Sequence, residues 1–238
     1  GSGRDGKEWG LGRLIYALAE LPNLERIRYT TSHPLDMDDE LIRAHSEVDK
    51  LMPYLHLPVQ SGSDNILQAM NRRHTASQYL AIVDRLRSAR EDIAMSGDFI
   101  VGFPGETDKD FADTLSLIDK VGYASAYSFK YSIRPGTPAA VKIEQVPEEI
   151  KSERLTSLQQ LLDSQQFAFN KTCENTVFAV LVEQKAGREG QLNARTPYMQ
   201  SVYFEGPDSL IGKIVQVKVS DARQNSLSAD IVREKEAI

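Results

Sequence analysis

Between Arg26 and Ser132 the chain repeats one pattern: a short apolar run, a cluster of turn residues, then an amphipathic helical stretch. The apolar runs are Arg26–Tyr29, Tyr54–Leu57, Ile93–Val101 and Ala126–Ser132. Helical spacing marks Asp38–Asp49, Thr75–Arg90 and Thr107–Lys120, and Pro147 opens a long helix to about Phe169. Thr75 with Gln78 has the form of a capping box ahead of the apolar face Tyr79, Ile82, Val83 and Leu86. Thr107 with Asp110 starts the third helix, expected to bury Phe111, Leu115 and Ile118. Strand-then-helix alternation predicts crossover units on a parallel sheet.

After Asn170 the pattern changes. Thr176–Glu183, Gln200–Phe204, Lys213–Ser220 and Ser226–Arg233 alternate apolar and polar residues, separated by turns at Gly187, Gly190, Gly206 and Gly212. This predicts a small all-β barrel of about five strands. The domains are therefore expected at 1–170 and 171–238.

Composition narrows the functional classes. The 238 residues are 41% hydrophobic and 26% charged, the balance of a globular protein. No apolar run approaches the ~18 residues of a membrane span, so no membrane partner is expected. One cysteine, Cys173, excludes an internal disulfide and any multi-cysteine metal site built from this chain alone. It fits a reducing, cytoplasmic location. Net charge is −6, but from Lys171 onward nine Lys/Arg balance nine Asp/Glu. The C-terminal module can thus present a local basic face.

The turn clusters carry the chemistry. In parallel α/β folds, ligands sit at the C-terminal ends of strands. There lie "TTSHP" (30–34), "PVQSGSD" (58–64), "GDFIVGFPGET" (97–107) and "YSIRPGTP" (131–138). In the third, Gly102 and Gly105 let backbone approach a ligand closely. Asp98 and Glu106 are acceptors for hydroxyl or amino groups. Gln60, Ser61 and Ser63 offer polar contacts; equally, Ser63 or Asp64 suits a helix N-cap. His33 reads as a turn residue, His56 as a core or barrel-interior residue, and His45 and His74 as surface. Arg72-Arg73 reads as a solvated helix end beside a candidate ligand loop. Cys173 reads as a small buried residue.

Together, "RIRYTTSHP", "YLHLPVQSGSDNILQAMNRRHT", "DFIVGFPGETDKDF" and "YSFKYSIRPGTPAA" resemble the radical SAM methylthiotransferases, and the last string most resembles their tRNA-modifying branch. "ARTPYMQSV" (194–202) resembles the family's TRAM domain, an RNA-binding β-barrel. The resemblance implies an α/β fold: the C-terminal part of a partial (β/α)6 radical SAM barrel, strands about three to six, followed by a small all-β TRAM barrel. It implies a tRNA anticodon stem-loop as partner and addition of a methylthio group to C2 of N6-isopentenyladenosine next to the anticodon. It also implies S-adenosylmethionine and two [4Fe–4S] clusters in the full-length protein.

By the same resemblance, Gln60, Ser61, Ser63, Asp98, Gly102, Gly105, Glu106, Phe129, Tyr131 and Arg134 lie at or near the cofactor. Arg188, Arg195, Tyr198, Lys213, Lys218 and Arg223 are the expected RNA contacts on the TRAM domain; Tyr203 and Phe204 are further stacking candidates or core. No catalytic residue is assigned. The family's Cys-x3-Cys-x2-Cys triplet and its three further cysteines are missing here. The chain is therefore expected to be a C-terminal fragment, with Gly1–Gly3 a cloning remnant, to bind no cluster and to be inactive alone. The Arg26–Tyr29 strand would then be a sheet edge, which favours self-association. Two other functions stay open: a methylthiotransferase acting on a ribosomal-protein aspartate, and an RNA-binding module without catalysis.

Overall fold

The computed structural model describes residues 8–30 and 33–232. These form two compact units, divided between residues 162 and 163. In chain order the first contains α1 (Leu11–Ala19), α2 (Asp39–Glu47), β1 (Tyr54–His56), α3 (Asp64–Ala69), α4 (Ala76–Ala89), β2 (Ala94–Val101), α5 (Asp108–Val121) and β3 (Ser125–Lys130). The long helix α6 (Glu148–Thr172) runs on into the second unit. There β4 (Val177–Lys185), β5 (Gln191–Arg195), β6 (Ser201–Glu205), β7 (Ile214–Ala222) and β8 (Leu227–Ile231) follow.

In the first unit β1, β2 and β3 pair in parallel, in that order. The expected first strand is not a continuous one. Ile27 bridges Leu51 and Thr30 bridges His56, both in parallel sense, but the intervening residues do not pair. The sheet's pleat divides its residues by function. Leu55, Phe99 and Val101 point to the face covered by helices, where Tyr79, Val83 and Leu86 of α4 and Leu117 and Ile118 of α5 complete a dry core. Each such side chain contributes about 1.5–3 kcal/mol on burial. The hydroxyls of Tyr79 and Tyr123 satisfy each other within that core at 2.9 Å, and Tyr79 also donates to the Leu57 carbonyl.

The helix starts follow the local code. Thr75 and Gln78 form a reciprocal capping box on α4, and Thr107 and Asp110 form one on α5. The α5 stripe is rotated from the expected one. Asp110, Thr114, Leu117, Ile118 and Val121 are buried, whereas Phe111 and Leu115 are only half-buried. The rotation arises because Asp110 and Thr114 serve the loop before α3.

The second unit closes on itself in the order β4-β5-β6-β8-β7, with β7 returning to β4. Closure removes the free sheet edge. Val180, Val182, Leu192, Ala194, Val202, Phe204, Val217, Val219 and Leu227 fill the interior. β5 was not among the expected strands: its inward residues, Leu192 and Ala194, make too short an alternation to stand out. Cys173 is buried against the barrel as expected, with burial raising its thiol pKa. Asn170 docks the end of α6, donating to the carbonyls of Arg223 and Gln224 and accepting from Gln200.

Two histidines read as surface are interior: His45 is 2% exposed and His74 3%. Their helical neighbours are polar, but tertiary packing covers both. Tyr29 Oη lies 2.6 Å from His45 Nε2. Burial holds both rings to a pKa of about 4, aided by Arg90 at His45 and by His33 and Arg72 at His74. An unfolded histidine titrates near ~6.5. Between those values the unfolded chain takes up protons that the folded chain refuses, so stability is full above ~6.5 and declines as pH falls toward ~4. Urea unfolding of the first unit should show a loss on the order of 2 kcal/mol per histidine across this window; an unchanged midpoint would contradict it.

Candidate functional site

The second face of the parallel sheet is open. It presents Tyr54 and His56 from β1, Ser96, Asp98 and Ile100 from β2, and Tyr127 and Phe129 from β3, in the order set by the register. Asp98 pairs across with Tyr127, and Ile100 with Phe129. Tyr127 and Phe129 are 60% and 54% exposed, unusual for aromatic side chains on a sheet. The Asp98 side chain is 26% exposed, and its carboxylate lies 3.5 Å from His56 Nε2. His56 Nδ1 lies 3.0 Å from Ser96 Oγ, and its ring meets Tyr127 edge-on. The result is a shallow surface with one orientable carboxylate, one imidazole held from both sides, and two aromatic faces. Such a surface can stack a planar ring and accept hydrogen bonds from hydroxyl or amino groups. Sequence reasoning had marked Asp98 and Phe129. It missed Tyr127 and the His56–Asp98 pair, whose signal is the strand alternation His56, Asp98, Ile100 across paired strands.

Gln60 sits where the loop after β1 rejoins β2. Its amide donates to the Asp98 carbonyl and its own carbonyl accepts from Ile100. Its φ is +78°, the left-handed region, in a residue that is not glycine. Ser61 and Ser63 face inward from the same loop. The Ser61 hydroxyl lies 3.2 Å from Thr114 Oγ1, and Ser63 donates to Asp110 at 2.5 Å. Hydrogen bonds from Ser63, Thr107 and Asn65 outweigh burial and hold the Asp110 carboxyl below its usual range. Ser63 also caps α3, so its N-cap reading holds. A Cβ at Gly62 would stand 2.6 Å from the Asp113 carbonyl, so only glycine lets this loop lie on α5. These groups position Gln60.

The Gly102–Glu106 turn is locked from behind. Glu106 does not stand at the mouth, as its sequence position implied; its side chain is 1% exposed. Its carboxylate accepts from the Gly102 amide at 2.7 Å and from Arg154 Nη1 at 2.8 Å. Arg154 also reaches the Glu106 carbonyl and Asp108. Burial raises the Glu106 pKa, opposed by the Gly102 amide and Arg154. Gly102 has φ +71°, and a Cβ there would meet Lys151 Cγ at 2.3 Å. Gly105, with φ +86°, faces open space. Tyr131 is half-buried; its ring packs on Phe103, and its hydroxyl has no hydrogen-bond partner among the described residues. Arg134 is exposed on the following loop.

On the barrel, Arg188, Lys213, Lys218 and Arg223 are exposed. Arg223 pairs with Asp221, and the half-buried Arg195 with Glu183. Arg195 pairs with Leu181 of β4, and the Lys213 carbonyl accepts from Val182 beside it. Lys218 pairs with Val177 at the opposite end of β4. The cations are therefore distributed rather than gathered into one cluster. Tyr198 packs edge-on against both Phe169 and Phe178, and Phe204 lies in the barrel interior.

An iron–sulfur cluster requires several thiolates. The chain has one cysteine, and among the described residues no three His, Cys, Asp or Glu are grouped to hold a metal. These residues do not fit a cluster. No described helix is long and apolar enough to cross a membrane.

Residues 4–118 match the radical SAM superfamily and residues 171–232 the TRAM domain. The radical SAM match takes in just under half of the chain, and the TRAM match follows it on the C-terminal side. It is 55% identical over 233 residues to the tRNA-2-methylthio-N(6)-dimethylallyladenosine synthase of Rickettsia felis. It is 57% identical over 234 residues to the protein of the same name from Rickettsia bellii. Each alignment takes in 98% of this chain and 52% of the relative, so the chain spans about half the length of the curated relatives it matches.

Replacing Arg154 by methionine would strand the Glu106 carboxylate in an apolar setting. Arg154→Met should lower the unfolding free energy by about 3 kcal/mol, and the double variant Arg154→Met/Glu106→Gln should recover part of it. Equal stability of the wild type and Arg154→Met in urea would contradict the lock.

Proposed function

We propose that this chain is part of a tRNA-modifying enzyme that adds a methylthio group to C2 of N6-isopentenyladenosine beside the anticodon. The observation that carries the proposal is 55–57% identity to relatives bearing that synthase name across almost the whole chain. The open sheet face supports it: it is shaped for a nucleoside, with rings to stack and a carboxylate to orient hydroxyls. In this reading residues 1–170 form the radical SAM portion and 171–238 the RNA-binding barrel, and the enzyme works in the cytoplasm.

S-adenosylmethionine, if bound, would supply the radical chemistry; this chain does not provide the thiolates an iron–sulfur cluster needs. The chain's own residues would bind and orient. Asp98, steadied by His56, accepts hydrogen bonds from ribose hydroxyls or an amino group. Tyr127 and Phe129 offer planar contact, and the main chain at Gln60 and Gly102–Gly105 allows close approach. Ser61, Ser63 and Glu106 act through the backbone they hold. On the barrel, Arg188, Arg195, Lys213, Lys218 and Arg223 would meet phosphates, with Tyr198 near the RNA.

Disrupting the gene and analysing bulk tRNA nucleosides by mass spectrometry tests this. Loss of the 2-methylthio mark, with accumulation of isopentenyladenosine lacking it, is the expected outcome. An unchanged nucleoside profile would overturn the assignment and direct attention to a ribosomal protein.

A further inference from the structure

Four side chains that the site above does not use converge beside the loop after β1: His33, Arg72, Arg73 and His74. The two imidazoles meet edge-on with ring centroids 5.1 Å apart. His74 is 3% exposed, and neither ring nitrogen makes a well-formed hydrogen bond, although the Val59 carbonyl lies close enough to favour its protonated form. His33 Nδ1 accepts from the Leu35 amide, which fixes the ring. Arg72 is half-buried and Arg73 exposed. Among the described residues neither guanidinium makes an ion pair or a side-chain hydrogen bond, in contrast to Arg85, Arg90, Arg154, Arg195 and Arg223. Arg72 stands close enough to both imidazoles to disfavour their protonation, and Arg73 close enough to His33. Asp36 opposes this at His33, behind burial and Arg72 but ahead of Arg73, and Asp64 opposes it least at His74.

Positive charge without an ion pair among the described residues, beside a buried imidazole whose ring nitrogens make no well-formed hydrogen bond, is costly when left empty. A folded chain keeps it where an anion completes it. Its place fits. His33 follows Thr30, which bridges His56 of the open face, and His74 lies by Val59, next to Gln60. The cluster is thus at the C-terminal ends of the strands, beside the nucleoside-shaped surface. We infer that His33, Arg72, Arg73 and His74 form a phosphate site that grips one phosphodiester of the RNA as its target base is presented to the sheet. This deepens the tRNA reading and rests on it. Arg72 and Arg73 supply the charge and the N–H donors, and the two imidazoles line the site.

Two measurements on the whole chain test it. The first titrates inorganic phosphate, against chloride at equal ionic strength, while following the histidine ring resonances by NMR. The His33 and His74 signals should move with phosphate in the wild type and stay fixed in Arg72→Gln/Arg73→Gln, whose fold is checked by the unchanged His56 signal. The second measures binding of a synthetic anticodon-type RNA hairpin across a salt series. The double variant should bind about tenfold more weakly, with a log–log salt slope shallower by roughly one to two. Phosphate shifts that survive in the double variant, or an unaltered RNA affinity and slope, overturn this site while leaving RNA binding by the chain intact. Absence of any hairpin binding by the wild type would instead overturn the RNA reading and this inference with it.

Discussion

The Glu106–Arg154 pair holds the first unit in working shape. β2 ends at Val101, and the chain must then reverse into α5 within six residues. Three of those are Gly102, Pro104 and Gly105, which by themselves offer the backbone no partner. The buried carboxylate supplies one: it accepts from the Gly102 amide and is anchored by a guanidinium from α6. Breaking such a pair by removing one partner costs ~3–5 kcal/mol, because a charge is left buried and alone. The ends of β2 and β3 depend on this turn, and with them the separation of the sheet into a covered and an open face.

The second constraint is the loop after β1, which is fastened to α5 rather than to a ligand. Ser61, Gly62 and Ser63 meet Thr114 and Asp110 at hydrogen-bonding or contact distance. This attachment forces Gln60 into the left-handed region and brings its backbone onto β2. Strain of ~1–3 kcal/mol at one residue persists only where the surroundings dictate it, and here four buried polar residues, Ser61, Ser63, Asp110 and Thr114, do so. Both turns follow one plan, in which inward polar side chains shape a backbone that is left bare on its outer side.

Much of this was legible in the sequence, for local reasons. Thr75 with Gln78 and Thr107 with Asp110 announce helix starts because each box closes within four residues. The change from helical to alternating periodicity at Asn170 announces the barrel. What was not legible depends on residues far apart in the chain. Glu106 turns inward because Arg154, 48 residues later, waits there. His45 and His74 are interior because Tyr29 and His33 cover them, which no local polarity reveals. The Arg26–Tyr29 run pairs only at single bridges, because strand propensity does not create a partner along its whole length. Tyr127 gained its meaning only from the register that sets it opposite Asp98.

The central claim is that the face carrying His56, Asp98, Tyr127 and Phe129 receives a nucleoside. The most direct test is backbone and aromatic NMR mapping of the chain titrated with S-adenosylhomocysteine, which carries the nucleoside without its reactive sulfonium. The account predicts saturable shifts at Gln60, Asp98, Ile100, Tyr127 and Phe129, diminished by Asp98→Ala. Saturable shifts confined to the barrel or to the helix-covered face, or no shift at the open face, would contradict it.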